Sequence, residues 1–429
     1  MARNLLATTF SMTGFLLFAS LFAAPSRGDE ATTTRTGSLA SNWSQWRGPN
    51  RDGLISGTSW PDALQDRLKL VWEKKLGPSY SGPVISGDFV FSTETVDKKF
   101  ERVTAYGLAN GVQSWAAEWE GSMAVPFFAA ANGDWIRSTP ACNGTLLVVV
   151  GMRDVVACFD ITSGKELWKV DLPQKLGTPL QAFGCCSSPI IDGDAVLLQS
   201  GGGLVKLNLA NGDLVWRTMD DGGGMNGGAF SSPIIATIAG RRQLVVAARN
   251  RLAGVAIQDG NELWSEPIES FRGMNILTPV MVGEHILSSA HSGRTRLFEI
   301  GVGDASESRV AQIWENKAQG YMSSPVVVDG FAYMHLKNER FVCIDLKSGE
   351  DRWTSKTFGK YWSMVGNVDQ RKILALDSDG TLRLIAADPT ELRVTDELKV
   401  ADDAWAHLAV DGSTVVVRAL DAIRVFQWR

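Results

Sequence analysis

The sequence predicts an all-β protein, an eight-bladed β-propeller of four-stranded antiparallel blades whose last blade is closed by an N-terminal strand. Three observations predict it. First, a Gly followed four residues later by a Trp recurs at Gly111/Trp115, Gly164/Trp168, Gly212/Trp216, Gly260/Trp264 and Gly349/Trp353, with a Gly-less copy ending at Trp314. From Trp115 to Trp353 these tryptophans stand 53, 48, 48, 50 and 39 residues apart, a period that marks an array of supersecondary units. Second, openings such as Ser138-Thr139-Pro140, Ser187-Ser188-Pro189, Ser231-Ser232-Pro233 and Ser323-Ser324-Pro325 run in phase with the tryptophans. Weaker copies stand at Ser81-Gly82-Pro83 and Leu277-Thr278-Pro279, and the segments beginning at Trp362 and Trp405 hold the place without Pro, making eight units. Third, the N-terminus has one outer strand to spare and the C-terminus lacks one.

Each unit justifies its four strands. Pro belongs at the first residue of a strand, where its missing N–H takes nothing from the ladder. After Pro325 come Val326 to Val328, a turn at Asp329-Gly330, a strand from Phe331, a turn at Lys337 to Glu339, a strand from Phe341, and a Gly349 turn leading to Trp353. Four short strands joined by tight turns read as one antiparallel meander, which cannot bury both faces alone. Packing eight around an axis buries them. The Trp72 stretch, Leu70 to Leu76, reads as an outermost strand with no inner strands before it. The unit near Trp405 has only two further strands, Thr414 to Arg418 and Ile423 to Gln427. Joining the two removes two open edges, so the Trp72 strand is expected to close the ring.

The N-terminus predicts export. Arg3, an uncharged apolar stretch from Leu5 to Ala24 and Pro25-Ser26-Arg27 form the layout of a secretory signal over residues 1–28, with cleavage after Ala24 or Gly28. An uncleaved anchor is the other reading of a stretch this long. No Cys precedes Cys142, so the expectation is a periplasmic or envelope protein that is not a lipoprotein. Residues 29–41 are Thr- and Ser-rich and read as a disordered linker. Residues 42–69 read as a cap on the propeller rim, and 70–429 as the propeller. Trp43 in that cap is expected to matter less to stability than the repeat tryptophans. A net charge of −5, with basic residues scattered, excludes a nucleic-acid stripe. The four His are too dispersed for a zinc site.

The Ser-Ser-Pro opening, together with the Asp-x-x-x-Gly-x-x-x-Trp ending, resembles the pyrroloquinoline-quinone-like propeller repeat. That repeat is shared by quinoprotein alcohol dehydrogenases and by the propeller lipoprotein of the outer-membrane β-barrel assembly machine. Trp43-Ser44-Gln45-Trp46-Arg47-Gly48-Pro49-Asn50 resembles the opening of an exported subgroup. The resemblance covers residues 42–429. It implies that Trp72, Trp115, Trp168, Trp216, Trp264, Trp314 and Trp353 pack between neighbouring blades. It says more about fold than about activity, because it records how blades lock together.

Two functional readings follow. The first is an exported non-catalytic scaffold, without cofactor or metal, binding a protein or small ligand at the channel mouth. The residue three before each Pro should ring that mouth, giving Tyr80, Arg137, Cys186, Phe230, Ile276, Met322, Trp362 and Trp405. Long connections on the same face carry Phe127 and Phe128, from Ala116 to Arg137, and a Gly-rich segment from Asp220 to Gly228. Loops on a rigid scaffold are where binding sites form. The alternative is a small dehydrogenase using pyrroloquinoline quinone with calcium. It rests on the adjacent Cys185 and Cys186, since quinoprotein alcohol dehydrogenases hold a vicinal disulfide beside the quinone. Against it, the ring offers one cation and no carboxylate, whereas calcium needs several oxygen ligands.

Overall fold

The computed structural model describes residues 42–302 and 308–429. The signal and linker expectations fall on residues 1–41, outside the described residues. Eight antiparallel sheets form the blades, and their inner strands begin at Val84, Ala141, Ile190, Ile234, Val280, Val326, Ser363 and Ala409. Blades are numbered 1 to 8 in that order. The strand Leu68–Lys75 pairs antiparallel with Ala422–Trp428 as the outer strand of blade 8, which closes the ring as expected.

The Gly-to-Trp step is an interlock between blades. Each Trp of the repeat leans on the next blade, and each Gly receives the Trp of the blade before. Trp72 Nε1 donates to the Leu108 carbonyl at 2.8 Å, Trp115 to Ile161 at 2.7 Å, Trp168 to Leu209 at 2.7 Å and Trp216 to Ile257 at 3.1 Å. Trp314 donates to Leu346 and Trp353 to Asp388 in the same way. A Cβ on Gly164 would stand 2.5 Å from the Trp115 ring, and φ there is +71°, so no other residue fits the seat. Trp264 differs. Its indole donates to Gln243 Oε1 of its own blade at 2.7 Å, and it packs over Gly254. It still shares a buried cluster with Ile286, Phe298 and Ile300 of blade 5.

Blade 7 has no Trp on its outer strand Arg393–Lys399. The N-terminal segment supplies one. Trp60 is 2% exposed and stacks on Trp428 at 5.3 Å, within one buried cluster with Leu382 and Leu384 of blade 7. The Leu64 and Gln65 N–H groups donate to Asp396 of blade 7 at 2.6 and 2.9 Å.

Ser and Thr hydroxyls just before the Pro positions link blades 1 to 4, and blade 5 to blade 6, at the heads of the inner strands. Gly82 N–H donates to Thr139 Oγ1, Thr139 N–H to Ser188 Oγ, Ser188 N–H to Ser232 Oγ and Thr278 N–H to Ser324 Oγ, all at 2.9–3.1 Å. The hydroxyls thus occupy backbone donors that no ladder could reach.

Residues 42 to 55 do not lie on the rim. They cross the central channel as a plug. Asn42–Trp43 adds a fifth strand to the inner edge of blade 1, and Leu54–Ile55 pairs in parallel with blade 7. Between them, Cys142 N–H donates to the Ser44 carbonyl, Trp46 Nε1 to Thr278 Oγ1, and Arg51 to the Ser188 and Pro189 carbonyls. Arg47 donates to the Pro325 and Asp52 carbonyls, and Trp43 stacks on His407. Both arginines take left-handed backbone, φ 59° and 60°, a strain of order 1–3 kcal/mol each that these bonds offset. Burial lowers Arg47 to about 10, and burial with the neighbouring Arg47 charge lowers Arg51 to about 9.

Candidate functional site

Opposite the inner-strand hairpins, the long connections gather on the mouth face. The 3₁₀ turn Phe127–Asn132, the short helix Leu172–Leu176 and the Gly222 to Gly228 loop lie on this face. Aromatic rings link into a collar. Tyr80 stacks on Trp405 at 5.0 Å, Trp405 meets Tyr361 at 4.6 Å, Tyr361 meets Tyr321 at 5.9 Å, and His291 joins Tyr321 to Phe271. A second arc runs Phe127, Phe128, Phe183, Phe230 at 5.6–6.2 Å.

The arcs meet at a cleft of about 230 Å³ lined by Phe128, Phe183, Met225, Phe271, Met274, Arg249 and Arg272. Phe127 is 91% exposed, and Phe128, Met225 and Phe271 are exposed with it. Exposed large apolar side chains clustered this way mark an interaction surface. Arg249 holds the cleft open from below. Its guanidinium donates to the Gly227 and Gly228 carbonyls at 3.3 and 3.2 Å, and to the Arg272 carbonyl at 2.6 Å, tying two loops together. Burial lowers its pKa.

Of the expected mouth residues, Tyr80, Phe230, Met322, Trp405, Phe127 and Phe128 are partly or fully accessible, and all but Met322 take part in the aromatic arcs. Arg137 is half-buried, donates to the Gly133 carbonyl at 2.6 Å, and lies against the Cys186 thiol. Trp362 is a correction. It is 2% exposed and packs in the core between blades 6 and 7, stacked on His335 at 5.0 Å. Tyr361, one residue earlier, reaches the mouth in its place, meeting Trp405 and Tyr321 in the collar, while Ser363 Oγ accepts the Leu408 N–H of blade 8. Without a Pro to count from, the register slipped by one. Tyr321, Phe183, His291, Phe271 and Arg249 went unread because loops, not strand heads, carry them.

Cys185 also departs from expectation. It is 1% exposed, beneath the face, and both vicinal cysteines carry free thiols. Its thiol points to the Ser187 and Gln199 carbonyls, while that of Cys186 points to the Gly184 carbonyl. Burial, and then the adjacent Asp154 carboxylate, push the Cys185 thiol well above the usual range, the reverse of a reactive thiolate. Asp154 is itself buried, accepting from Gln181 Nε2 at 2.9 Å and from Ser200 Oγ. These groups brace the loops of blades 2 and 3 from beneath.

Glu101 braces blade 1 against blade 2. Its carboxylate accepts the Met152 N–H at 2.8 Å and Trp119 Nε1 at 3.0 Å, and burial raises its pKa to about 7. A folded pKa above the ordinary 4.5 favours the protonated folded state. Its stabilisation is therefore full below about pH 4.5 and is lost as pH rises through about 7. Glu101→Gln should abolish this component. The stability difference between variant and wild type should move in the variant's favour by roughly 3 kcal/mol between pH 4.5 and 7, then stay flat. Denaturant titrations across that range check it, and a constant difference would refute the assignment.

The family model described as outer membrane protein assembly factor BamB matches residues 99–355. The chain is 22% identical over 375 residues to the outer membrane protein assembly factor BamB of Moranella endobia (strain PCIT), covering 81% of this chain and 87% of that protein. The crystal structure of BamB from Moraxella catarrhalis superposes with a TM-score of 0.62 at 13% identity, covering 84% of this chain and all of that one. A europium-containing methanol dehydrogenase superposes at 0.53 and 11% identity, covering 90% of this chain and 98% of its own. At these identities the two structures speak for the fold alone.

Proposed function

From a chain that belongs to the PQQ-like β-propeller family described as outer membrane protein assembly factor BamB, we propose a non-catalytic scaffold of the cell envelope that docks a partner protein at its mouth-face cleft. The observation that carries this reading is the exposed group Phe127, Phe128, Met225 and Phe271 around a cleft that Arg249 holds open. Apolar anchors in a preformed cleft, with Arg249 and Arg272 beside them, supply the buried aromatic and cationic contacts that dominate protein interfaces.

The dehydrogenase reading fits the residues less well. Tyr80, Trp405, Tyr361 and Tyr321 lean on one another around the mouth, and the residues three before the Pro places offer one guanidinium and no carboxylate for a hard cation. The free Cys185 thiol is occupied by carbonyls beneath the face. No step through a quinone is therefore derived.

The test is co-purification from native envelopes with outer-membrane assembly proteins. Phe128→Asp combined with Phe271→Asp should cut recovery about tenfold or more while leaving the melting temperature within a few degrees. Recovery equal to wild type would reject the cleft. Adding pyrroloquinoline quinone and Ca²⁺ to purified protein should leave its melting temperature unmoved, whereas a clear rise would favour the dehydrogenase.

A further inference from the structure

On the face opposite the mouth the plug leaves part of the channel open. It pairs with, hydrogen-bonds to or stacks on blades 1, 2, 3, 5, 6, 7 and 8. Among the described residues blade 4 receives no such tie. A cleft of about 570 Å³ lies between the plug residues Asn50 to Leu54 and the inner strands of blades 4 and 5, reaching Val327 of blade 6. A second, of about 350 Å³, continues it toward blade 3. Both are lined by Ile235, Ala236 and Thr237 of blade 4.

Two inner strands run five residues. Ser363–Asn367 carries Leu54–Ile55 along its inner edge, whereas Ile234–Ile238 ends its sheet with nothing paired beyond it. An uncovered strand edge presents a row of backbone donors and acceptors ready for another strand. Six aliphatic side chains wall the space, each half-buried: Ile191, Ile235, Met281, Val282, Val327 and Leu54. Charge does not select the occupant. Arg51 is spent on carbonyls, Asp52 accepts the Leu54 N–H, and Arg242 is paired with Asp192 at 2.6 Å.

We propose that the inner edge of blade 4 is a strand-addition site, taking an extended, uncharged peptide segment with aliphatic side chains, in the manner in which the plug's own strands add to blades 1 and 7. Five residues of strand span about 16 Å. Main-chain hydrogen bonds would provide affinity, and the aliphatic walls would prefer side chains of the same kind. This site is separate from the mouth cleft and lies on the opposite face.

The probe is a fluorescent dodecapeptide of alternating Val and Thr with Lys ends, tested on the full chain by anisotropy and by backbone amide exchange. Saturable binding with slowed exchange across residues 234–238 is expected. A peptide of matched length with Pro at alternate positions should bind at least about tenfold more weakly, because it cannot donate to an edge. Thr237→Trp and, separately, Met281→Trp should fill the cleft and weaken binding by a similar factor, provided each melts like wild type. Phe128→Asp with Phe271→Asp should bind the peptide unchanged, which separates this site from the mouth reading. Absence of binding at millimolar peptide, equal binding of the Pro peptide, or binding without protection of 234–238 would overturn the proposal.

Discussion

Removing residues 1–76 is expected to abolish cooperative folding, while removing residues 1–41 leaves the melting temperature unchanged. The longer truncation takes the strand Leu68–Lys75 from the edge of blade 8, breaking its ladder with Ala422–Trp428. It also takes Trp72, whose ring sits on Gly111 of blade 1 and whose indole is bonded to Leu108. A buried Trp replaced by Ala costs about 3–5 kcal/mol on its own. With Leu68, the ladder, the plug and Trp60 lost as well, the deficit approaches the whole stability of an ordinary domain, about 5–15 kcal/mol. A truncation of residues 1–66 separates the parts. It keeps the closing strand but loses the plug and Trp60, and should melt between the other two. Equal melting temperatures for the 1–41 and 1–76 truncations would rule out closure by this strand.

Trp43→Ala should be as damaging as Trp168→Ala, about 3–5 kcal/mol for either. Position in the chain argues otherwise, since a residue just after an N-terminal linker is expected to fray. Its surroundings decide. Trp43 is 1% exposed, against 8% for Trp168. Gly48, at φ +82°, lies so close to its ring that a Cβ there would stand 2.9 Å from it. The ring shares a buried cluster with Ile85, Val90 and residues of blade 8, and it stacks on His407, which burial holds neutral with a pKa of about 3. The side-chain loss therefore opens a cavity at the axis, where neighbouring sheets on all sides resist collapse. Denaturant midpoints for the two variants and wild type check this. A cost below about 1 kcal/mol for Trp43→Ala would mean the plug is loosely held.

The repeat itself was legible because its chemistry recurs. Gly at a positive-φ turn, Trp four residues on and Pro at a strand head each answer a local requirement, so eight units, four strands per unit and the closing strand could be read from residue order. Even the Gly-to-Trp spacing was visible, but its meaning was not. Gly164 and Trp168 answer to different blades: Gly164 receives Trp115 of blade 1, Trp168 reaches Leu209 of blade 3, and only the ring brings Trp115 onto Gly164. The same limit hid the plug. Arg47 and Arg51 look like exposed turn residues until the channel supplies the Pro325 and Pro189 carbonyls, which lie 278 and 138 residues away. At the mouth, strand-head residues such as Tyr80 and Phe230 could be counted from a Pro, whereas Trp362 was misplaced where no Pro anchored the register. Phe183, Phe271 and Arg249 belong to loops whose paths no periodicity dictates. What one residue requires of its own backbone is written locally. What a cavity, an uncovered strand edge or a buried guanidinium requires is set by side chains arriving from other blades, and only the closed ring decides which ones arrive.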